Sequence, residues 1–410
     1  MRGSPFFQKK THYGLAVILV IILLSALFDT REHFNLHIKP HKHSKHSKNP
    51  DVSRVKNRKI LILYTGGTIG MKETPQGYAP KKGYLEKQLK KILNIHADYS
   101  NTISPYHIKE YHPLLDSSNM TPKDWNKMAH DIEKHYHQYD AFIIVHGTDT
   151  LAYSATALSF IFKNLSKTVI FTASMIPLAR IRNDGQNNLL SSLILASTYD
   201  IPEVVIVTAN SITRGNRTTK KSANKVDAFA CPNFEDLGAF GYATAPILKK
   251  SLIRKPHGPF SVTPYNTENQ VMVFFLTPGC NFKSVEDAIL NNPSIKGIVL
   301  LTYGIGDGPV NNKEFIHMLQ FLKAHHIIAI NITQCYQGRV DQDDYATGTK
   351  LKEHGVLSGK DMTYEAGYCK LLFLLGKYPK NYHKISSVFE TDIRGEMSEV
   401  LKTKNVAPTK

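Results

Sequence analysis

The chemistry in this chain is most legible in two strings, Tyr64-Thr65-Gly66-Gly67-Thr68-Ile69-Gly70 and His146-Gly147-Thr148-Asp149-Thr150. Each follows an apolar, strand-like run, Lys59 to Leu63 and Ala141 to Val145, and each turns into a loop. A threonine hydroxyl is a weak nucleophile until a neighbouring group takes its proton. Glycines let the backbone approach a ligand closely, and their N–H groups can serve a developing oxyanion. In an open parallel sheet, loops at the carboxyl ends of adjacent strands converge on one crevice. Two such loops suit nucleophilic attack on a small polar substrate.

Four groups of residues could carry that attack, and each also has a plainer reading. Thr68 is followed ten residues later by Tyr78, across a stretch holding Gly70, Pro75 and Gly77, the composition of a lid. Without that partner, Gly66-Gly67 is a tight turn or a phosphate cradle, although Gly-Lys-Ser/Thr and GxGxxG are both missing. Asp149 can hold a substrate ammonium while Thr148 positions water or attacks; alternatively, Asp149 caps the helix starting near Thr150. Lys220, in Arg214-Gly215-Asn216-Arg217-Thr218-Thr219-Lys220, is a proton acceptor if buried near Thr148, and otherwise part of a solvated basic loop. Asp116-Ser117-Ser118 offers a carboxylate and hydroxyls to an amino-acid zwitterion, or is a helix-capping turn.

The elements that must position these groups alternate. Strands are expected at 59–64, 141–145, 168–172 and 203–208, with helices at 84–95, from Thr121, at 150–164 and at 185–198. A second series has strands at 271–276, 297–302 and 327–332, with helices at 283–291, 312–325 and 362–375. The expected architecture is α/β, a larger N-terminal parallel-sheet domain (57–245) and a smaller C-terminal α/β domain (271–410), joined by a linker at 246–270. Cys231, Cys280, Cys335 and Cys369 are widely spaced, which argues against a zinc site. Cys280 and Cys335, in apolar surroundings, read as buried thiols. No cofactor is implied.

The net charge of +17 over 410 residues is uneven. Residues 1 to 50 carry eight Lys and Arg against two acidic residues, which is +6, while the remaining excess is scattered. No nucleic-acid-binding module is present, so nucleic acid is not an expected partner. Tyr13 to Phe28 is an uninterrupted apolar run behind Lys9 and Lys10, with a poor cleavage pattern. It reads as a signal anchor (1–28) that tethers the chain to a membrane with the body on the exported, periplasmic side. The alternatives are a body on the cytoplasmic face, or cleavage and release to the periplasm. The polar stretch 29–56, with His33, His37, His41, His43 and His46, reads as a solvated spacer in preference to a metal-capturing cluster.

Taken in order, these strings resemble the bacterial-type L-asparaginases, most closely their type I branch, over about residues 57 to 400. Gln76-Gly77-Tyr78, Pro113-Leu114-Leu115-Asp116-Ser117-Ser118, Ile176-Pro177-Leu178 with Asp184-Gly185, and Asp227-Ala228-Phe229 add to the likeness. The resemblance implies that Thr68 attacks the side-chain amide, with Tyr78 assisting its deprotonation. Thr148, Asp149 and Lys220 then form a second proton-handling group, and Asp116, Ser117, Thr148, Asp149 and Ser174 bind L-asparagine. It implies an acyl-enzyme route to L-aspartate and ammonia in a homotetramer built from dimers.

Two positions depart from the family pattern. Ala173-Ser174 stands where Gly commonly precedes the Ser or Ala of the amide pocket. The acidic residue that some relatives lend to a neighbouring subunit has no clear match, although Tyr303-Gly304-Ile305-Gly306-Asp307-Gly308 could reach across. The competing functions are a glutaminase-asparaginase of broader specificity, an ammonia-supplying amidotransferase subunit, and an inactive membrane-tethered amino-acid or metal sensor.

Overall fold

The computed structural model describes residues 55, 57–75, 77–95, 101–343 and 346–399. The apolar run 13–28, the histidines of the spacer and Gln76 lie outside the described residues. No helix among the described residues is long and apolar enough to cross a membrane.

The larger sheet has eight strands, in the order Ile247–Leu248, Gly238–Ala239, Ser211–Arg214, Val204–Thr208, Thr168–Thr172, Ala141–Val145, Ile60–Gly66 and Tyr106–Leu115. The last five run parallel, and the first three continue the sheet antiparallel. Four of the parallel strands are buried along their whole length, as a sheet covered on both faces requires. Their side chains alternate between two cores. Leu61, Leu63, Phe142 and Ile144 join Trp125, Met128 and Leu158 from helices Pro122–His135 and Leu151–Ile161. Ile60, Ile62, Ile143 and Val145 meet Leu85 and Leu89 of helix Tyr84–Ile95, and Leu189 and Leu193 of helix Gly185–Thr198.

The strand order places the crevice. After Ile60–Gly66 the chain adds Tyr106–Leu115 on one side, then returns to add Ala141–Val145 on the other. The winding therefore reverses at Ile60–Gly66, and a cleft opens between its carboxyl end and that of Ala141–Val145. The two threonine strings leave from those two ends.

The smaller sheet consists of four parallel strands, Gln270–Phe275, Ile295–Thr302, Ile328–Thr333 and Leu357–Ser358. Helices Lys283–Asn291 and Lys313–Ala324 cover one face. Helix Tyr364–Lys377 lies on the other, and its Leu371 and Phe373 share a core with Val299, Ile330, Leu158 and Phe160. One apolar core thus continues from the first sheet's helices into the second sheet.

Some expectations need correction. The helix expected over 150–164 ends at Ile161, because Phe162–Lys163 turn into a short strand antiparallel to Ser261–Val262. Cys335 is exposed and Cys280 half-buried, since Cys335 lies just beyond the end of strand Ile328–Thr333. The strand Tyr106–Leu115, which carries Asp116 at its end, had no strong alternating pattern to announce it.

Candidate active site

Three loops meet at the carboxyl ends of the central strands, and glycine is what allows the contact. Gly67 has φ +86°, and a Cβ there would lie 2.4 Å from both Cα and N of Gly147. A Cβ on Gly147 would lie 2.4 Å from the Ser117 hydroxyl. The Thr68 and Thr148 loops are therefore in backbone contact, and the Ser117 side chain of the Asp116 loop lies against Gly147, a closeness only residues without side chains permit. Hydrogen bonds lock the junction: Gly67 N–H donates to Leu115 O (3.2 Å), Asp149 N–H to Ser117 Oγ (3.3 Å), and Thr150 Oγ1 to Ser117 O (2.7 Å).

Lys220 closes the arrangement from the far side. Its Nζ donates to Thr148 Oγ1 at 3.0 Å and to Asp149 Oδ1 at 2.7 Å. Thr148 is buried and the Lys220 side chain is 19% exposed, whereas the Asp149 side chain is 61% exposed and open to the cleft. Asp149 does not cap the helix that follows it; Thr150 occupies the cap position without a side-chain bond, and the carboxylate turns to the lysine. The Arg214–Lys220 string is not a solvated loop either. Arg214, Asn216 and Arg217 are all buried. Arg214 pairs with Glu203, and Arg217 pairs with Asp361 and donates to Gly395 O and Ser398 Oγ.

The other sites hold their residues less tightly. Thr68 opens a single 3-10 turn, Thr68–Gly70, and is half-buried. Among the described residues its hydroxyl has no hydrogen-bond partner, and neither has that of Tyr78. Tyr78 sits in the hairpin Met71–Thr74 and Gly77–Pro80, opposite Glu73, with the Arg180 guanidinium 5.2 Å from its ring centroid. Asp116 is exposed and accepts from Ser118 N–H (3.0 Å), so the capping turn is present, while its buried neighbour Ser117 faces the Thr148 loop. Ser174 is buried and donates to Ile176 O (2.9 Å). A Cβ on Gly185 would touch both Ser174 and Ile69, so Ser174 and the residue after Thr68 both border Gly185.

Asp184 and His146 stand in strings the sequence singles out, but sequence reasoning gave neither the role of aiming these loops. Asp184 accepts the N–H groups of Met175 and Ile176, both at 2.9 Å, pinning the loop after Thr168–Thr172. Its place just ahead of Gly185 and a helical run was the available signal. His146 is fully buried; its Nδ1 donates to Gly147 O (2.7 Å), and burial lowers its pKa to about 4, so the imidazole is neutral. Asp307, in the loop that could reach a neighbouring subunit, accepts from Thr347 Oγ1 within its own chain, and the loop is tied through Tyr303 N–H to Asp307 O (3.0 Å).

The site so built has two hydroxyls at facing loops, one bonded to a lysine that also pairs with a carboxylate, which equips it for hydrolytic acyl transfer. The chain matches the "Asparaginase, N-terminal" family model over residues 59–252 and the "Glutaminase/Asparaginase C-terminal domain" model over 270–389. It belongs to the asparaginase family. It is 41% identical over 345 residues to L-asparaginase 1 of Escherichia coli, covering 84% of this chain and 99% of that protein. It is 38% identical to L-asparaginase of Dirofilaria immitis, over 83% of this chain and 60% of that protein. The crystal structure of L-asparaginase I from Vibrio cholerae superposes with a TM-score of 0.76 at 41% identity, covering 83% of this chain and 99% of that one.

Proposed function

We propose that this enzyme is an L-asparaginase that hydrolyses L-asparagine to L-aspartate and ammonia through a threonine ester. The observation that carries this reading is the bridge of Lys220 Nζ between Thr148 Oγ1 and Asp149 Oδ1, on a loop packed glycine to glycine against the Thr68 loop. The identity to proteins named L-asparaginase supports the substrate.

In the first step the Thr68 oxygen adds to the side-chain amide carbon, with Tyr78 relaying the hydroxyl proton: the phenol takes it as it passes its own to the amide nitrogen. The C–N bond then breaks, and ammonia leaves with that proton, forming an aspartyl ester on Thr68. In the second step a water adds to the ester, and its proton moves along the Thr148–Lys220 pair, in which the Lys220 ammonium gives up one proton as it takes another. The relayed proton reaches the Thr68 oxygen as the ester C–O bond breaks, so aspartate is released and the Thr68 hydroxyl is restored. Asp149 holds the substrate ammonium, Asp116 and Ser117 bind its backbone end, and Ser174 borders the amide. Backbone N–H groups of the Gly-rich loops offer donors to the oxyanion.

The protein acts as a homotetramer, without cofactor or nucleic acid. Residues 13–28 anchor it to a membrane with the body on the exported side, a reading supported by Lys9 and Lys10 ahead of the apolar run. Protease access to the body in intact cells tests the topology, and protection behind the inner membrane would overturn it. Ammonia release from asparagine and glutamine tests the substrate. One methylene is typically worth about 1–3 kcal/mol of discrimination, so glutamine is expected to be turned over more slowly rather than refused. Asparagine binding without turnover would favour the sensor instead.

A further inference from the structure

Behind the lysine lies a carboxyl that the proposed reaction does not use. Glu365, in the first turn of helix Tyr364–Lys377, is 1% exposed. Its Oε1 accepts from Thr219 Oγ1 at 2.7 Å, and among the described residues its Oε2 has no hydrogen-bond partner. Thr219 is the residue next to Lys220, and the two form a strand of only two residues, paired through Thr219 with Ala230 and Lys220 with Phe229. So short a ladder fixes a side chain poorly. The strand's position depends on ties to helix Tyr364–Lys377 and the turn ahead of it: Arg217 to Asp361 in the turn, and Thr219 to Glu365 in the helix.

We propose that Glu365 is a positioning residue for Lys220. Through the Thr219 hydroxyl it holds the strand from which the lysine reaches Thr148 and Asp149, and its protonation state sets how firmly. This rests on Lys220 being the proton carrier described above. The surroundings favour a single titrating group. Helix Leu151–Ile161 contributes Tyr153, and Glu365's own helix contributes Thr363 at its cap, Tyr364, Tyr368 and Cys369. Tyr265 packs behind Cys369, with its hydroxyl donating to the Cys369 carbonyl. Burial raises every one of those phenols and the thiol above its ordinary value, so they stay neutral near pH 7. Strand Thr219–Lys220 brings the lysine charge, already paired with Asp149. For Glu365 itself burial dominates, the hydrogen bond from Thr219 opposes it, and its pKa is raised to about 7. Below that value Thr219 bonds to a neutral acid; above it, to a carboxylate, and a charge-assisted hydrogen bond is shorter and stronger. Rising pH therefore draws the lysine strand tighter.

The test is kcat and KM for ammonia release from asparagine by the full chain, from about pH 5.5 to about pH 8.5, a window that brackets the titration. The wild type, Glu365→Gln, Thr219→Val and Thr219→Ser are compared. In the wild type kcat is expected to rise through a transition near neutrality. Glu365→Gln keeps an acceptor for Thr219 but cannot ionise, so it should hold kcat at the acid-side level and abolish the transition. Thr219→Val should lower kcat roughly ten- to a hundredfold with KM little changed, and Thr219→Ser should restore both rate and transition. A wild-type transition surviving in Glu365→Gln, or Thr219→Ser behaving like Thr219→Val, overturns the proposal. The threonine pair leaves the buried carboxyl in place and decides the matter if Glu365→Gln does not fold. A wild type that releases no ammonia overturns the asparaginase reading and this assignment with it, whereas an active wild type with unchanged variants overturns only this assignment.

Discussion

The two threonines occupy unlike surroundings. Thr148 is buried, bonded to Lys220, and carried by a loop whose backbone is tied to Ser117 and Thr172. Thr68 sits half-buried on a single 3-10 turn, its hydroxyl uncommitted among the described residues, beside a hairpin whose Tyr78 is steadied by one arginine. The contrast fits a division of labour. A group that handles protons gains from geometry set before substrate arrives, because no reorganisation is then needed during reaction. A nucleophile must instead be free to leave its resting contacts for the carbonyl carbon. The rigid corner is expected to govern rate, and the open lip both rate and substrate closure.

Removing the lysine tests the rigid corner with the largest effect. Lys220→Met should lower kcat by about 10²–10⁴-fold while asparagine still binds, as expected for loss of a positioned proton carrier. A loss confined to KM would show that the lysine only binds substrate. Gly67→Ala attacks both regions together. Its Cβ would enter the Gly147 backbone, and φ +86° strains any side chain, so activity should fall by at least about 100-fold, with about 1–3 kcal/mol of stability lost in urea unfolding. A variant as active as wild type would mean the two loops do not depend on each other.

Acid should loosen the rigid corner from within. His146 has its folded pKa lowered to about 4 by burial, against about 6.5 when unfolded. Between those values the unfolded chain binds the extra proton. The stability associated with the neutral ring is thus complete above pH 6.5 and declines toward pH 4, by up to about 3 kcal/mol. Urea midpoints in that window should fall less for His146→Asn, which keeps an N–H near Gly147 O and cannot titrate. Equal acid sensitivity in both chains would remove His146 as the cause. At the lip the expected effect is smallest. Arg180→Ala forfeits an exposed cation–π contact of about 0.5–1 kcal/mol, so kcat/KM should drop only about two- to fivefold. A hundredfold loss would place Arg180 on the substrate instead of on Tyr78.

The rigid corner and the lip were also unequally legible in the sequence. The strands ending at Gly66 and Val145 are apolar runs closed by glycine, a local signal, and their convergence follows from the rule for parallel sheets. What escaped was held by distant partners. Arg214 and Arg217 look like part of a basic loop because Glu203, Asp361, Gly395 and Ser398, which bury them, lie 11 to 181 positions away. The Glu365 tie to Thr219 spans 146 positions, and a lone carboxylate at a helix start usually reads as a favourable first-turn charge. Two-residue strands such as Thr219–Lys220 have no periodicity to detect. Tyr106–Leu115 was hidden by its His, Lys and Glu residues, which an edge strand tolerates because one side of it is open.

The central claim is that Thr68 attacks while Thr148 and Lys220 move protons, and rapid chemical quench of the enzyme with asparagine tests it most directly. In the Lys220→Met chain, where ester hydrolysis is slowed, peptide mass spectrometry should find an aspartyl ester on the peptide carrying Thr68. An ester on the Thr148 peptide, or one that persists in Thr68→Ala and is absent from Thr148→Ala, would contradict the assignment.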